Sequence, residues 1–312
     1  GPLLEAAQVE VLVLERVLVA ADGANSAVAR RLAGPLTNAE MEVAFGYRAP
    51  LPRDDDDAPT VIAFLPGWVG YAWAFPRLDH VSFGIATAQD AFDHQALDAL
   101  LRDFMLGYYA QREDPRAPLW SAAADGEDDN ADEKNGGANG RNGEPGERHG
   151  AAARDGDAEA SREKIGERLR DSVERYAARI PGLTPETLDS RRVCGADWAL
   201  LGDAAGFADP VTGEGIYYAL RSAELFAGCY LAGRAESYEQ RWRDDFGREL
   251  RRASQMRRRF YGQLLGAPFT SRMIDLARLH PGIRRTLREL VAGDQGYRTL
   301  KRTLARRALW PR

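Results

Sequence analysis

The 312-residue sequence holds only two cysteines, Cys194 and Cys229, and four histidines. Two thiols cannot build a disulfide framework, so a reducing compartment is the expected setting. The histidines are scattered and give no metal-ligand spacing. Long hydrophobic runs are missing too. No stretch approaches the ~18 uninterrupted apolar residues of a membrane span, and no signal-peptide pattern opens the chain. Together these absences make a cytoplasmic protein the expectation. The first residue is Gly1 rather than Met, and the opening reads as mid-domain sequence, so an N-terminally truncated chain is also expected. Apolar residues make up 44% of the whole, enough to build a core in one large or two small domains.

Charge is segregated along the chain. The overall balance is net −5, yet residues 241–312 alone carry 19 basic and 6 acidic residues. An arginine-rich module therefore ends an otherwise acidic protein. Its apolar residues Trp242, Phe246, Leu250, Ala253, Met256, Phe260 and Leu264 step by three or four, which is one helix face. The basic residues then read either as the solvated side of a helical cap or as a surface for anionic lipid headgroups or a diphosphate. Nucleic acid is not expected, because no aromatic interleaving accompanies the charge.

Residues 121–164 contain no Val, Ile, Leu, Met, Phe, Trp, Tyr or Cys. Such a segment buries too little apolar surface to offset its ordering entropy, and it reads as a disordered acidic insertion or an interaction tail. Elsewhere the pattern is structured. Residues 9–21, 42–49, 60–65, 69–75 and 80–87 read as strands between Pro, Gly and Asp turns. Residues 91–112, 165–179, 213–232 and everything from Ser237 onward read as helical, and 191–201 as one extended run. This mixture points to an α/β (α+β) architecture. The expected division is 1–34 and 191–233 as two parts of one layered domain. Residues 35–120, closed by 165–190, form an inserted sheet domain, and 234–312 a basic helical region.

Three segments carry chemistry. In the first, the apolar strand residues Leu200 and Leu201 deliver Gly202 and Asp203 at a tip. Ala204, Gly206 and Pro210 follow in a short loop, and Gly213, Gly215 and Ile216 open a helix. A carboxylate at a strand end accepts hydrogen bonds from a polyol. Glycines at a helix N-terminus let N–H groups approach an anion or carbonyl oxygen. The bland alternative is a Gly-rich turn with a helix cap. In the second segment, residues 19–21 end a strand at Asp22-Gly23, followed by a helix with Arg30 and Arg31. Asp-Gly is also a common turn, and Ser26 a good N-cap. In the third, alternation puts Tyr71, Trp73 and Phe75 on one strand face. They form either a core-facing ladder or an apolar wall beside a bulky substrate.

In this order the three segments resemble the geranylgeranyl reductase family of flavoproteins, within the p-hydroxybenzoate hydroxylase-like group of FAD enzymes. The family's Gly-Ala-Asp-Gly-x-x-Ser-x-x-Arg motif is matched over 20–30, with Ala20 for Gly and an extra Ala29 before Arg30. Its Gly-Asp-Ala-Ala-Gly…Pro-x-x-Gly-Glu-Gly-Ile motif is matched without a break over 202–216. Its Tyr-x-Trp-x-Phe-Pro-Lys motif is matched over 71–77, with Arg77 for Lys.

The resemblance implies a partial Rossmann-like FAD-binding domain with an inserted antiparallel-sheet substrate domain. It implies that Asp203 bonds the FAD ribityl chain. Gly213, Gly215 and Ile216 then face the flavin pyrimidine edge, and Asp22 and Gly23 the ribityl-pyrophosphate region. Tyr71, Trp73 and Phe75 line an isoprenoid pocket. The implied activity is reduction of double bonds in a polyprenyl or lipid substrate, with NAD(P)H or ferredoxin as donor left open. An aromatic monooxygenase or halogenase, and a remnant without flavin, are the alternatives. The family's opening Gly-x-Gly-x-x-Gly unit, which holds the FAD pyrophosphate, has no counterpart in these 312 residues. The sequence thus offers the flavin end of such a site without the ADP end.

Overall fold

The computed structural model describes residues 12–14, 17–52, 58–64, 70–88, 93–121, 148–260, 263–264 and 267–309. The chain divides into two units, one of residues 1–43 with 179–312 and one of residues 44–178.

The first unit is built on a small sheet. Strands β1 (Leu12–Leu14) and β2 (Val17–Ala20) form an antiparallel hairpin. Strand β8 (Trp198–Leu200) lies parallel to β2, pairing Leu18 with Trp198 and Ala20 with Leu200, in the order β1-β2-β8. Helix α1 (Ala27–Leu32) starts at Ser26, whose buried Oγ accepts from Ala29 N at 2.8 Å. Helix α4 (Pro185–Ser190) precedes β8, and the single turn α5 (Gly202–Ala205) and helix α6 (Ile216–Leu231) follow it. Val17, Ala20, Leu200, Phe207, Tyr218, Phe226, Trp242 and Phe246 share the core.

The C-terminal residues belong to this same unit. Helix α7 (Tyr238–Trp242) passes through a π-helical turn (Arg243–Gly247) into α8 (Arg248–Phe260). The predicted apolar face is buried from Trp242 to Phe260. The wider turn splits it: Trp242, Phe246 and Leu250 enter the main core, while Ala253, Met256 and Phe260 enter a second cluster with Val211, Leu290, Tyr297 and Leu300. Continuous helix was expected from Ser237. Instead a two-stranded hairpin, β9 (Gln263–Leu264) and β10 (Ala267–Pro268), precedes helices α9 (Phe269–Leu279), α10 (Pro281–Val291) and α11 (Tyr297–Leu309). Pro268 and Pro281 supply the breaks, since neither has an N–H for a helix interior. The run 191–201 is likewise not one strand. It turns back at 195–197, with Cys194 bridged to Ala199 and Gly195 N bonded to Trp198 O at 2.9 Å.

The second unit is a sheet covered by helices. Strands β3 (Met41–Pro50), β4 (Val61–Phe64), β5 (Gly70–Pro76), β6 (His80–Ala88) and β7 (Glu174–Pro181) lie in the order β4-β5-β6-β3-β7. The chain enters this unit within β3 and leaves it within β7. Helix α2 (His94–Glu113) is capped by Asp93 and buries Leu97, Leu101, Phe104 and Tyr108 against Ala72, Ala74, Phe83 and Ile85.

Helix α3 (Arg148–Leu169) corrects two expectations. The disordered segment was expected to reach residue 164, and the helix was expected to start at 165 and reach 179. Residues 122–147 lie outside the described residues. Residues 148–169 are helical, and Glu174–Pro181 is strand. Ile165 and Leu169 bury its end in the core, but the anchor of the part before 165 is polar, so apolar composition did not reveal it. Arg162 is 7% exposed and bonds Asp103 Oδ1 at 2.7 Å, Asp103 O at 2.9 Å and Pro118 O at 2.6 Å. In β7 the spacing of Leu169, Val173, Tyr176 and Ile180 imitates a helix. There the Tyr176 hydroxyl donates to Phe83 O at 2.9 Å, tying the strand to the sheet's own backbone.

This anchor generates a stability prediction. Arg162→Met leaves two carbonyls and a partly buried carboxylate without their donor, and is expected to cost about 2–4 kcal/mol. Urea unfolding followed by circular dichroism measures it. A change below about 0.5 kcal/mol, the range of ordinary surface substitutions, marks the anchor as dispensable.

Candidate functional site

Because β2 and β8 run parallel, their carboxyl ends emerge side by side. Leu201 N donates to Ala20 O at 2.9 Å, the last rung before the two tips separate. One tip is Asp22-Gly23 and the other Gly202-Asp203. In sheets of this kind ligands bind beyond the carboxyl ends of parallel strands. A cavity of about 440 Å³ lies there, lined by Ala21, Gly23, Ile180, Leu201, Gly202, Asp203, Gly213, Gly215, Ile216, Ala219 and Ala223.

Two glycines set its shape. Gly202 has φ +52°, and a Cβ there would stand 2.9 Å from Ala219 Cβ. Only a residue without a side chain lets the tip of β8 lie this close to α6. The tip is fixed by Ser222, whose Oγ accepts from Gly202 N at 3.0 Å and donates to Ala219 O at 3.0 Å. A Cβ at Gly215 would stand 2.8 Å from Asp203 Oδ1, so the bare backbone there gives the carboxylate its place at the mouth of α6.

Charge in the cavity is unusual. Desolvation, with a smaller contribution from Glu214, pushes the Asp203 carboxyl up to about 6. Its carboxylate makes no hydrogen bond among the described residues, so it is an acceptor held ready at a strand tip. At the other tip Asp22 Oδ2 accepts from Ala27 N at 3.2 Å, while its Oδ1 is buried without a partner. Gly215 caps α6 with no side chain of its own. Glu214 Oε1 takes the Tyr217 N–H at 2.7 Å. The positive end of a sixteen-residue helix therefore borders the cavity. Ile216, 74% exposed, and Leu220, 70% exposed, add apolar surface beside it.

The loop between the tip and α6 is held from behind. Asp209 is buried, and Oδ1 accepts from Val211 N at 2.8 Å, Thr212 N at 3.0 Å and the Tyr297 hydroxyl at 3.1 Å. Burial pushes its pKa upward against those bonds. The buried Glu42 carboxyl is driven up to about 7 by desolvation, opposed by Arg257 at 2.8 Å.

Of the sequence-predicted cofactor residues, the cavity gathers Gly23, Gly202, Asp203, Gly213, Gly215 and Ile216. Asp22 supports α1 instead of lining the wall. Ala204, Gly206 and Pro210 are buried behind it, and Gly206 closes α5 with φ +89°. Ala219 and Ala223 were missed. Their spacing from Ile216, three and then four, was the available signal. Cys194 is buried, and desolvation pushes its thiol up to about 11, the state of a structural thiol.

Tyr71, Trp73 and Phe75 belong to the second unit. They line up on β5 with ring centroids 5.7 and 5.9 Å apart. Ala72 and Ala74 carry the core on the opposite face, so the aromatic ladder does not point into the helix-covered core. Trp73 lies over Gly84, where a Cβ would meet its ring at 2.0 Å. A smaller cavity of about 220 Å³ in this unit, lined by Tyr47, His94, Asp98 and Arg175 among others, does not include the ladder.

No family model matches the chain, and no curated protein matches it. Solved structures do, at low identity. A geranylgeranyl bacteriochlorophyll reductase-like protein from Thermoplasma acidophilum is 15% identical over 79% of this chain and 55% of its own, with TM-score 0.46. Klebsiella pneumoniae HpxO, complexed with FAD and uric acid, is 17% identical over 91% and 59%, with TM-score 0.46. The flavin-dependent brominase Bmp2 is 16% identical over 93% and 62%, with TM-score 0.45. The chain thus spans less than two thirds of the length of each of these.

Asp203 generates a pH prediction. Its folded pKa lies above the unfolded value, so the native state binds the extra proton and stability falls as pH rises from about 4 through about 6. Glu42 and Asp209 shift in the same direction, so only a difference between proteins isolates Asp203. Asp203→Asn is expected to be more stable than the parent by about 1–3 kcal/mol at pH 7, the gap opening between pH 4 and 6. Urea midpoints across that range measure it. A pH-independent gap rejects the assigned burial.

Proposed function

We propose that the first unit holds the flavin of FAD and that the chain is part of an FAD-dependent oxidoreductase. The observation supporting this reading is one cavity shared by two parallel strand tips and the N-terminus of α6. The residues present suit that group. Asp203 offers an unpartnered carboxylate to a polyol hydroxyl. Asp22 Oδ1 is an orphaned buried acceptor beside the other tip. Gly213 and Gly215 keep the wall free of side chains, and Ala219 and Ala223 present a smooth helix face to a planar ring. The α6 terminus favours negative charge at its end of the cavity. When bound, the flavin supplies hydride and electron transfer.

The substrate in this reading is a polyprenyl or other lipid chain, and the reaction is reduction of a carbon–carbon double bond by addition of a hydride and a proton. Support comes from the Tyr71, Trp73 and Phe75 ladder, which stands on the face of β5 opposite the core. The electrons come from NAD(P)H or ferredoxin.

Flavin fluorescence titration tests the cofactor. Asp203→Ala, with unchanged circular dichroism, is expected to weaken FAD binding about 5- to 100-fold, the equivalent of one charged hydrogen bond. Equal affinity of parent and variant removes Asp203 from the site, and no binding by the parent removes the flavin. Product mass then tests the reaction: two added hydrogens support reduction, one added oxygen an oxygenase.

A further inference from the structure

Helices α9, α10 and α11 combine charge and exposed apolar surface in a way the flavin site does not use. On α9, Arg272, Leu276 and Leu279 follow one another at intervals of four and three, all exposed; Leu279 is 83% exposed. On α10 the exposed stripe is Arg284, Arg288 and Val291 at the same intervals. On α11 it is Arg298, Lys301, Arg302 and Arg306. The opposite faces of α10 and α11 bury Leu290, Tyr297 and Leu300 in one cluster, so the two exposed stripes turn outward from a common core.

Glu289 is occupied by Arg285 at 2.9 Å and Arg307 at 2.6 Å, and Asp275 by Arg278 at 3.5 Å. Among the described residues, none of the seven basic residues on the three stripes has an ion pair. A cap that only shields a core has no need of unpaired arginines beside exposed leucines.

We propose that this face docks on an anionic bilayer surface. The mixture decides between anionic partners. Nucleic acid calls for cations with exposed aromatic rings for stacking, and Tyr297, the only aromatic in these three helices with a described side chain, is buried. A headgroup layer takes cations at the phosphates and aliphatic side chains just below them, the pairing that Arg272, Arg284 and Arg288 make with Leu276, Leu279 and Val291. The described residues contain no helix able to cross a membrane, so the contact is peripheral. The inference stands apart from the flavin reading and does not depend on it.

The test is co-sedimentation with phosphatidylcholine vesicles, with and without phosphatidylglycerol. Binding is expected only with the anionic lipid, and release near ~0.5 M salt, where the Debye length is roughly 4 Å. Arg284→Glu with Arg288→Glu is expected to lower the partition coefficient at least about tenfold. Leu276→Gln with Leu279→Gln is expected to weaken binding while keeping its salt dependence. Arg31→Glu with Arg234→Glu makes the same charge change elsewhere in the unit and is expected to change binding less than twofold. All three variants are checked for parental circular dichroism. Equal binding to both vesicles, binding to neither, equal loss in the control variant, or tighter binding to a single-stranded oligonucleotide than to anionic vesicles each overturns the proposal.

Discussion

Val19 and Ala199 are far apart in the chain, yet they are parallel partners in a three-stranded sheet, and the candidate site depends on that rung. Parallel neighbours need a crossover, and here the crossover contains the whole second unit. A one-residue slip would turn Leu200 away from the core and move Asp203 off the tip. Several contacts guard the register. Ala20 O receives Leu201 N, Asp197 O receives Leu18 N, and the Tyr238 hydroxyl donates to Leu200 O at 3.2 Å. Phe207, immediately after the tip loop, packs on Trp242 and Phe246 with centroids 4.7 and 5.0 Å apart. The sheet sets where the tips emerge, and the helices set how far the loop can move.

That arrangement holds a carboxylate under strain. Asp203 is partly withdrawn from water, its pKa raised by that desolvation and by Glu214, and among the described residues its carboxylate has no hydrogen bond. Packing alone gives no reason for an acid at this position; an apolar or amide side chain would be cheaper in free energy. Buried Asp209 differs, because three donors reward its burial and it fixes the loop. The contrast separates a structural acid from a poised one. Local cost without local compensation is a mark of a functional site.

Strands β3 to β6 of the second unit were legible because alternation and turn residues act locally. Residues 80–87 were expected as strand and His80–Ala88 is strand. Both strand tips were legible for the same reason: Asp-Gly and Gly-Asp end apolar runs. The gathering of the tips was not, since no local pattern encodes a parallel pairing across an inserted unit. The part of the helix before 165 escaped because its buried anchor there is Arg162, whereas Ile165 and Leu169 enter the core only at its end. The strand at 174–181 escaped because its few apolar residues sit at helical spacing while most of its side chains are exposed. Charge segregation marked 241–312 as distinct, but charge lies on the outer faces, and unit membership is decided by the inner ones.

Those inner faces tie the basic surface to the cavity. Tyr297 begins α11, and its hydroxyl meets the same Asp209 oxygen that holds Val211 and Thr212. Val211 packs with Leu290 and Leu300, so the loop before Gly213 is clamped between a carboxylate bond and an apolar contact from α10 and α11. Glu249 adds a second tie, accepting from Tyr297 N at 2.9 Å. The Tyr297 and Leu290/Leu300 contacts join these helices to the loop that delivers Gly213 and Gly215, while Glu249 ties α11 to α8. Asp209 is the residue at which α11 and the loop before Gly213 share one acceptor. The amphipathic build of these helices makes one element serve both as brace for the site and as its basic outer surface.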